Sequence, residues 1–292
     1  MFERAVLVTD LTSGGIILGE CAPGLWDLGV REVIVAEAVS ATVGMSLAFS
    51  YYAGTAESQL ERERKKLAER GFVVDNEILS GRAGAQVQEL AERRDACLVV
   101  VGTEHHSIAG EALGFSFTWN IIGHSKIPVL TVPLEEADGP EGPLGVRGGW
   151  SSGLLSHVML PTDFSDDADA AFGVLESDVA PKAAKISLVH VQDSSKIEPH
   201  LTDRLQEFNK IDEERLGGLK SRLTERGAAH VETSLLYGRP VSEILGFAAN
   251  NGVTLMVLGR KGRGVLAEAF VGSVSHNVLR KTDVPMLLVP SH

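Results

Sequence analysis

Between Leu258 and Val274 the chain reads LGRKGRGVLAEAFVGSV, in which Gly259, Gly262, Gly272 and Ser273 stand at the spacing G-x2-G-x9-G-S. Glycine admits backbone conformations closed to other residues and lets main-chain N–H groups meet a ligand with no Cβ in the way. Consecutive N–H groups in such a turn form an anion-binding nest. Gly272 and Ser273 precede the helical-looking run SVSHNVLRK. They are therefore expected to set amides and a hydroxyl at a helix N-terminus, where the dipole favours negative charge. Two anion sites facing each other across a short loop suit a polyphosphate. Arg260, Lys261 and Arg263 gather positive charge in a chain of formal net charge -12, so they read as neutralisers of phosphate. Ordinary Gly-rich turns with solvated basic residues give the same letters. Spacing alone leaves both readings open.

The loop needs a strand before it and a helix after it. Gly259 directly follows the apolar run TLMVL. The same half of the chain offers the strand candidates HVMLPTD, KISLVHVQ, VETSLLYG and VPMLLVP, apolar almost throughout, as strands buried on both faces of a parallel sheet should be. Leu205, Phe208, Leu216, Leu219 and Leu223 recur at helical intervals before Gly227, a suitable stop, and RPVSEILGFAANNG gives a second helix. Strand and helix in alternation predict an open parallel α/β sheet with right-handed crossovers and helices on both faces. Ligands of such sheets bind beyond the carboxyl ends of the strands, which is where this loop lies.

The chain is written twice. AVLVTDLTS recurs as HVMLPTDFSD, and LAERGFVVDNEILSGR as LTERGAAHVETSLLYGR. Gly81, Gly102 and Pro128 answer Gly238, Gly259 and Pro285 at one constant offset, so each copy is a whole domain. The Gly- and Pro-rich stretch between them marks a linker at 136–152, separating domains at 1–135 and 153–292. The first copy is an internal control for the loop. At the matching positions His105 replaces Gly262, Phe115 replaces Gly272, and Thr103-Glu104 replaces Arg260-Lys261. A ring where backbone must meet phosphate and a carboxylate in place of a cation both oppose binding. The first copy is thus expected to carry a degenerate site, and folding does not demand the glycines of the second.

Bulk properties narrow the field. A sequence pI of about 5.2 argues against wrapping nucleic acid or coating an anionic membrane. No apolar run approaches the roughly 20 residues of a membrane span, and MFERAVLVTD begins as a strand without a signal-peptide layout. With only Cys21 and Cys97, reduced buried thiols in a cytoplasmic protein are expected.

The second copy resembles a universal stress protein domain of the ATP-binding kind. Three features carry the resemblance: the full G-x2-G-x9-G-S motif, the first-strand ending PTDFS at 161–165, and the second-strand ending LVHVQD at 188–193. The resemblance extends over both copies and leaves out only the linker. It implies tandem open five-stranded parallel sheets, Rossmann-like and similar to the adenine nucleotide alpha hydrolases. It also implies that PVLTVP and PMLLVP pair as last strands, making one chain a pseudo-dimer that can dimerise further. Pro161, Thr162 and Asp163 would then lie beside adenine and ribose, and Val191 would meet the adenine through its backbone. Leu258, Gly259, Arg260, Lys261, Gly262 and Arg263 would wrap ribose and phosphates. Gly272, Ser273, Val274 and Ser275 would hold the phosphate tail of ATP, AMP or ADP, with Mg²⁺ entering through the phosphates. The first-copy equivalents are Val8, Thr9, Asp10, Gly102 and Ser116.

Other constellations are weaker. No GK[ST] follows a glycine loop, and TDLTSGG and TDFSDDA lack G-x-G-x-x-G, so P-loop and dinucleotide-dehydrogenase readings fall away. His105 and His106 are adjacent and lack a spaced partner, a poor pattern for metal. The acids Asp163, Asp166, Asp167 and Asp169 read as a helix start capped by Ser165 or Asp166. His276 and Asn277 read as packing or solvent residues on the helix after the loop. Three functions compete on this basis: a nucleotide-binding stress-response module whose state a protein partner reads, a slow ATPase lacking an assured base, and a nucleotide-free scaffold.

Overall fold

A computed structural model of the chain describes residues 2–9, 20–40, 46–104, 114–136, 144–146, 153–198, 204–262 and 271–291. The chain divides into two compact units, Met1–Ser152 and Gly153–His292. Each has an α/β fold.

In the first unit, β1 (Arg4–Thr9), α1 (Ala22–Leu28), β2 (Glu32–Ser40), α2 (Ser46–Glu69) and β3 (Val73–Gly81) are followed by α3 (Ala83–Arg93), β4 (Leu98–Glu104), α4 (Gly114–His124) and β5 (Val129–Glu136). The strands lie in the order β3-β2-β1-β4-β5, all parallel. The stretch expected as linker adds a short strand, β6 (Leu144–Val146), antiparallel to Leu134–Glu136 of β5.

The second unit repeats the order. It contains β7 (Val158–Thr162), α5 (Asp166–Val174), β8 (Ile186–Asp193), α6 (Ser194–Ile197), α7 (Leu205–Glu225), β9 (Val231–Gly238), α8 (Pro240–Asn250), β10 (Leu255–Gly259), α9 (Ser273–Leu279) and β11 (Met286–Val289). Its five strands lie as β11-β10-β7-β8-β9, again all parallel. Every residue of β7 and β10 is buried, as the continuous apolar runs require. Each such valine or leucine contributes about 1.5–3 kcal/mol through the water it sheds. β9 departs from that pattern: as an outer strand it keeps Glu232 and Thr233 exposed.

The first strand leaves the sheet centre at Thr162, and α5 begins four residues later. Ser165 accepts a hydrogen bond from the Ala168 amide at 3.3 Å and caps the helix, with Asp166, Asp167 and Asp169 in its first turn. That accounts for the acidic cluster: carboxylates at a helix N-terminus are favoured by its dipole.

Candidate functional site

The carboxyl ends of β7, β8 and β10 open into a cleft of about 830 Å³. The cleft is where the sequence places its motif. Pro161, Thr162 and Asp163 line it from β7, Val191 from β8, and Leu258, Gly259, Lys261 and Gly262 from β10 and its loop. Gly272, Ser273, Val274 and Ser275 line it from α9. Arg260 is not among the lining residues, and Arg263 lies outside the described residues. Burial pulls the Arg260 guanidinium below the usual arginine range, opposed by the Asp167 carboxylate.

The loop is folded back on itself. Arg260 donates its amide to the Val289 carbonyl at 2.8 Å, and its own carbonyl accepts from the Gly272 amide at 2.9 Å. The Lys261 amide donates to Asp167 Oδ1 at 3.0 Å. This drawing together explains the glycines. A Cβ on Gly262 would stand 2.9 Å from Asp163 Oδ2, and one on Gly272 would stand 3.2 Å from both the Gly262 nitrogen and Lys261 Cα. On Gly259 it would meet the Asp167 carbonyl oxygen at 2.5 Å. The same lack of side chains leaves backbone facing the cleft. Gly272 is the N-cap of α9 and, as a glycine, has no side chain with which to cap the helix, and Gly272 to Ser275 line the cleft.

Asp163 is fixed from below. Its Oδ1 accepts from the Ser165 amide at 3.1 Å and the Ser165 hydroxyl at 2.5 Å. Phe164 sits at φ 55, a left-handed conformation costly for an aromatic residue. Its amide donates to Thr162 Oγ1 at 3.0 Å, its ring packs 4.7 Å from that of His190, and the Arg215 guanidinium lies 5.0 Å over it.

Ser275 has a second duty. Its hydroxyl donates to the Gly259 carbonyl at 2.8 Å, and the residue is buried. Thr118 does the same for Gly102 at 3.0 Å in the first unit. A Cβ on Gly102 would come within 2.6 Å of Leu134 Cδ1, so packing alone accounts for that glycine in a copy whose loop has lost the others.

The two units differ again between their last two helices. In the first, Asn120 Oδ1 accepts from the Gly84 amide at 2.8 Å, and a Cβ on Gly84 would lie 2.2 Å from the Asn120 carbonyl oxygen. At the same places the second unit has Val241 and Asn277, both lining the cleft, and Asn277 donates instead to the Ser273 carbonyl at 2.8 Å. Val8 and Thr9 are buried at the end of β1, while Phe115 and Ser116 fall at the start of α4. Asp10, His105 and His106 lie outside the described residues.

Sequence reasoning missed much of the cleft wall. His190 and Gln192 on β8, Phe208, Ile211, Asp212 and Arg215 on α7, and Arg239 and Lys281 further round all line it. Phe208 shares the helical spacing of the leucines of α7, yet only Leu216 and Leu223 of that helix are buried. The spacing of Phe208, Ile211, Asp212 and Arg215 on one helical face was a usable signal. Among the described residues the cleft is lined by the cationic side chains of Lys196, Arg215, Arg239, Lys261 and Lys281, against the carboxylates of Asp163, Asp193 and Asp212. It therefore suits an anionic ligand that also carries hydrogen-bond donors. Among the described residues no group of three or more His, Cys, Asp or Glu side chains could hold a metal ion, and no helix is long and apolar enough to cross a membrane. Cys21 is buried, which raises its thiol pKa far above the usual range.

Comparison with known proteins adds four findings. The model of the universal stress protein family matches residues 32–133 and 155–290. A universal stress protein of Methanocaldococcus jannaschii is 29% identical over 155 residues, covering 47% of this chain and 95% of its own length. One of Thermus aquaticus is 30% identical over 143 residues, covering 47% of this chain and 99% of its own. The crystal structure of a universal stress protein from Archaeoglobus fulgidus covers 99% of this chain and 97% of its own, with a TM-score of 0.74 at 20% identity. The last likeness is one of fold.

Proposed function

This chain belongs to the universal stress protein family, and from that premise we propose that its second unit binds an adenine nucleotide in the cleft beyond β7, β8 and β10. The carrying observation is the folded-back loop. A Cβ on Gly259 or Gly262 would come closer than 3 Å to neighbouring backbone or carboxylate, one on Gly272 would press on the Gly262 nitrogen at 3.2 Å, and all three glycines border one cleft together with Asp163 and Ser273.

In this reading the backbone from Gly259 to Gly262 and the first amides of α9 hold the phosphates, with Lys261 and Lys281 supplying positive charge. Asp163, its Oδ1 already committed to Ser165, turns Oδ2 to the ribose hydroxyls. Val191 meets the base through its main chain. Ser275 contributes its amide, since its hydroxyl hydrogen is directed at Gly259. ATP, AMP or ADP occupies the site, Mg²⁺ entering only through the phosphates, and occupancy is the signal that a protein partner reads. The first unit, whose Gly84–Asn120 contact stands where the second unit has Val241 and Asn277 in the cleft, serves as a nucleotide-free companion.

Native mass spectrometry of the purified full chain tests the reading. One adenine nucleotide per chain is expected. A chain that carries none, and that takes up none from millimolar ATP, contradicts it.

A further inference from the structure

No residue of α7 belongs to the glycine motif, yet Phe208, Ile211, Asp212 and Arg215 all line the cleft. Their spacing of three, four and seven residues puts them on one face of the helix. Ile211 is 42% exposed, a large apolar side chain left at the edge of a polar cleft.

Asp212 is held in place. Gln192 Nε2 donates to its Oδ2 at 2.9 Å, and His190 Nε2 lies 3.5 Å from the same oxygen. His190 is itself anchored, its Nδ1–H donating to the Thr162 carbonyl at 2.7 Å, since a carbonyl can only accept. The Asp212 side chain is only 13% exposed. Its other oxygen, Oδ1, has the Arg215 guanidinium at 3.9 Å, beyond hydrogen-bond reach. One carboxylate oxygen is thus tied down, leaving the second as an acceptor at the cleft wall. His190 and Gln192 flank Val191, the residue whose backbone is proposed to meet the base.

We infer that this face of α7 is a specificity wall for the base of the ligand. Phe208 and Ile211 cover the flat face of a heterocycle, and Asp212 Oδ1 accepts a hydrogen bond from its exocyclic amine. Asp212 then selects an amine-bearing purine over its 6-oxo counterpart, whose oxygen would face the carboxylate as one acceptor against another. His190 and Gln192 are positioning residues that hold Asp212 at that edge. The inference rests on the nucleotide reading and adds to it the choice of base.

Calorimetric titration of the full chain with ATP, ITP and purine riboside triphosphate tests it. ITP replaces the amine by an oxo group, and purine riboside triphosphate simply lacks it. A hydrogen bond to a charged acceptor predicts that both bind the wild-type chain about 10- to 100-fold more weakly than ATP. Asp212→Asn can present either a carbonyl or an amide NH₂, so it is expected to shrink the ATP-to-ITP ratio by at least about 10-fold. An unchanged ratio in a folded Asp212→Asn chain overturns the inference. Equal wild-type affinity for ATP and purine riboside triphosphate overturns it without any variant. Both outcomes leave the nucleotide reading standing. Failure of the wild-type chain to bind any of the three overturns the nucleotide reading, and this inference with it.

Discussion

Ser275 donates its hydroxyl to the Gly259 carbonyl at 2.8 Å, and sixteen residues separate the two in sequence. The bond ties the first turn of α9 to the end of β10 and so sets the two sides of the glycine loop against each other. Thr118 and Gly102 make the same clasp in the first unit, where the loop has lost its other glycines. The clasp therefore belongs to the fold, and the glycines at 262 and 272 to the proposed nucleotide site. Different substitutions should separate the two roles.

Removing the clasp should cost stability. Ser275→Ala leaves the buried Gly259 carbonyl without its hydroxyl donor, at about 1–3 kcal/mol. Thr118→Val should cost a similar amount in the first unit. Urea unfolding followed by circular dichroism reads both. A loss of binding by Ser275→Ala with stability unchanged would mean that the hydroxyl serves the ligand instead.

Gly262→Ala should do the opposite. Its Cβ would stand 2.9 Å from Asp163 Oδ2, so the carboxylate must shift away from the place proposed for the ribose. Weaker ATP binding by at least about 10-fold is expected, with thermal stability within a degree or two of the wild type, since the change lies on a surface loop. Calorimetry and a thermal melt on the same sample check this. Undiminished affinity would show that Asp163 does not touch the ligand.

The paired asparagines give a third separation. Asn120 caps α3 through the Gly84 amide, so Asn120→Ala should destabilise the first unit by about 1 kcal/mol. Asn277 donates within its own helix turn and lines the cleft, so Asn277→Ala should leave stability within about 0.5 kcal/mol. Denaturant unfolding of the two variants side by side distinguishes them. Equal destabilisation would mean that Asn277 is structural too.

Stability should fall as the pH drops from neutral. His157 is buried, its Nδ1–H donating to the Asn251 carbonyl at 2.9 Å and its Nε2 lying 2.8 Å from Ser187 Oγ. Burial is the largest cause lowering its pKa, with Lys185 and His230 adding to it and the Asn251 carbonyl and Glu232 opposing. His276 is lowered as well, by burial and then by Arg280. A histidine depressed in the folded state binds its proton more readily when unfolded. The stability it contributes is whole above its unfolded pKa of about 6.5 and is lost as the pH falls through the depressed value. Urea midpoints should therefore decline between pH 7 and pH 5, and His157→Asn should flatten the decline. A wild-type midpoint that rises on acidification would contradict the assignment.

Much of the fold was legible because its signals were local. The apolar runs of β7 and β10, the Ser165 cap and the constant offset between the copies all state their structural meaning in sequence. The glycine motif was legible for the same reason, since a Cβ is either present or absent. The α7 wall was not. Whether Phe208 faces core or cleft depends on where the helix crosses the sheet, and its spacing is shared with Leu216 and Leu223, the buried residues of the same helix. His190 was hidden inside a continuous apolar run, and its partner Asp212 lies 22 residues on, in another element. The backbone role of Arg260 left no mark in the sequence, where only its charge is visible: its amide and carbonyl hold the loop closed, and its side chain is not among those lining the cleft. The linker held β6, a three-residue strand too short to show a periodicity.

The central claim is that freed main-chain amides beside Gly272 grip a nucleotide's phosphates. Gly272→Phe tests it most directly, because the first copy carries Phe115 at that place and starts a helix there all the same. Calorimetric titration with ATP should give one site per wild-type chain and no detectable binding for Gly272→Phe, with matching circular dichroism spectra. A folded Gly272→Phe chain that binds ATP as tightly as the wild type would contradict the account.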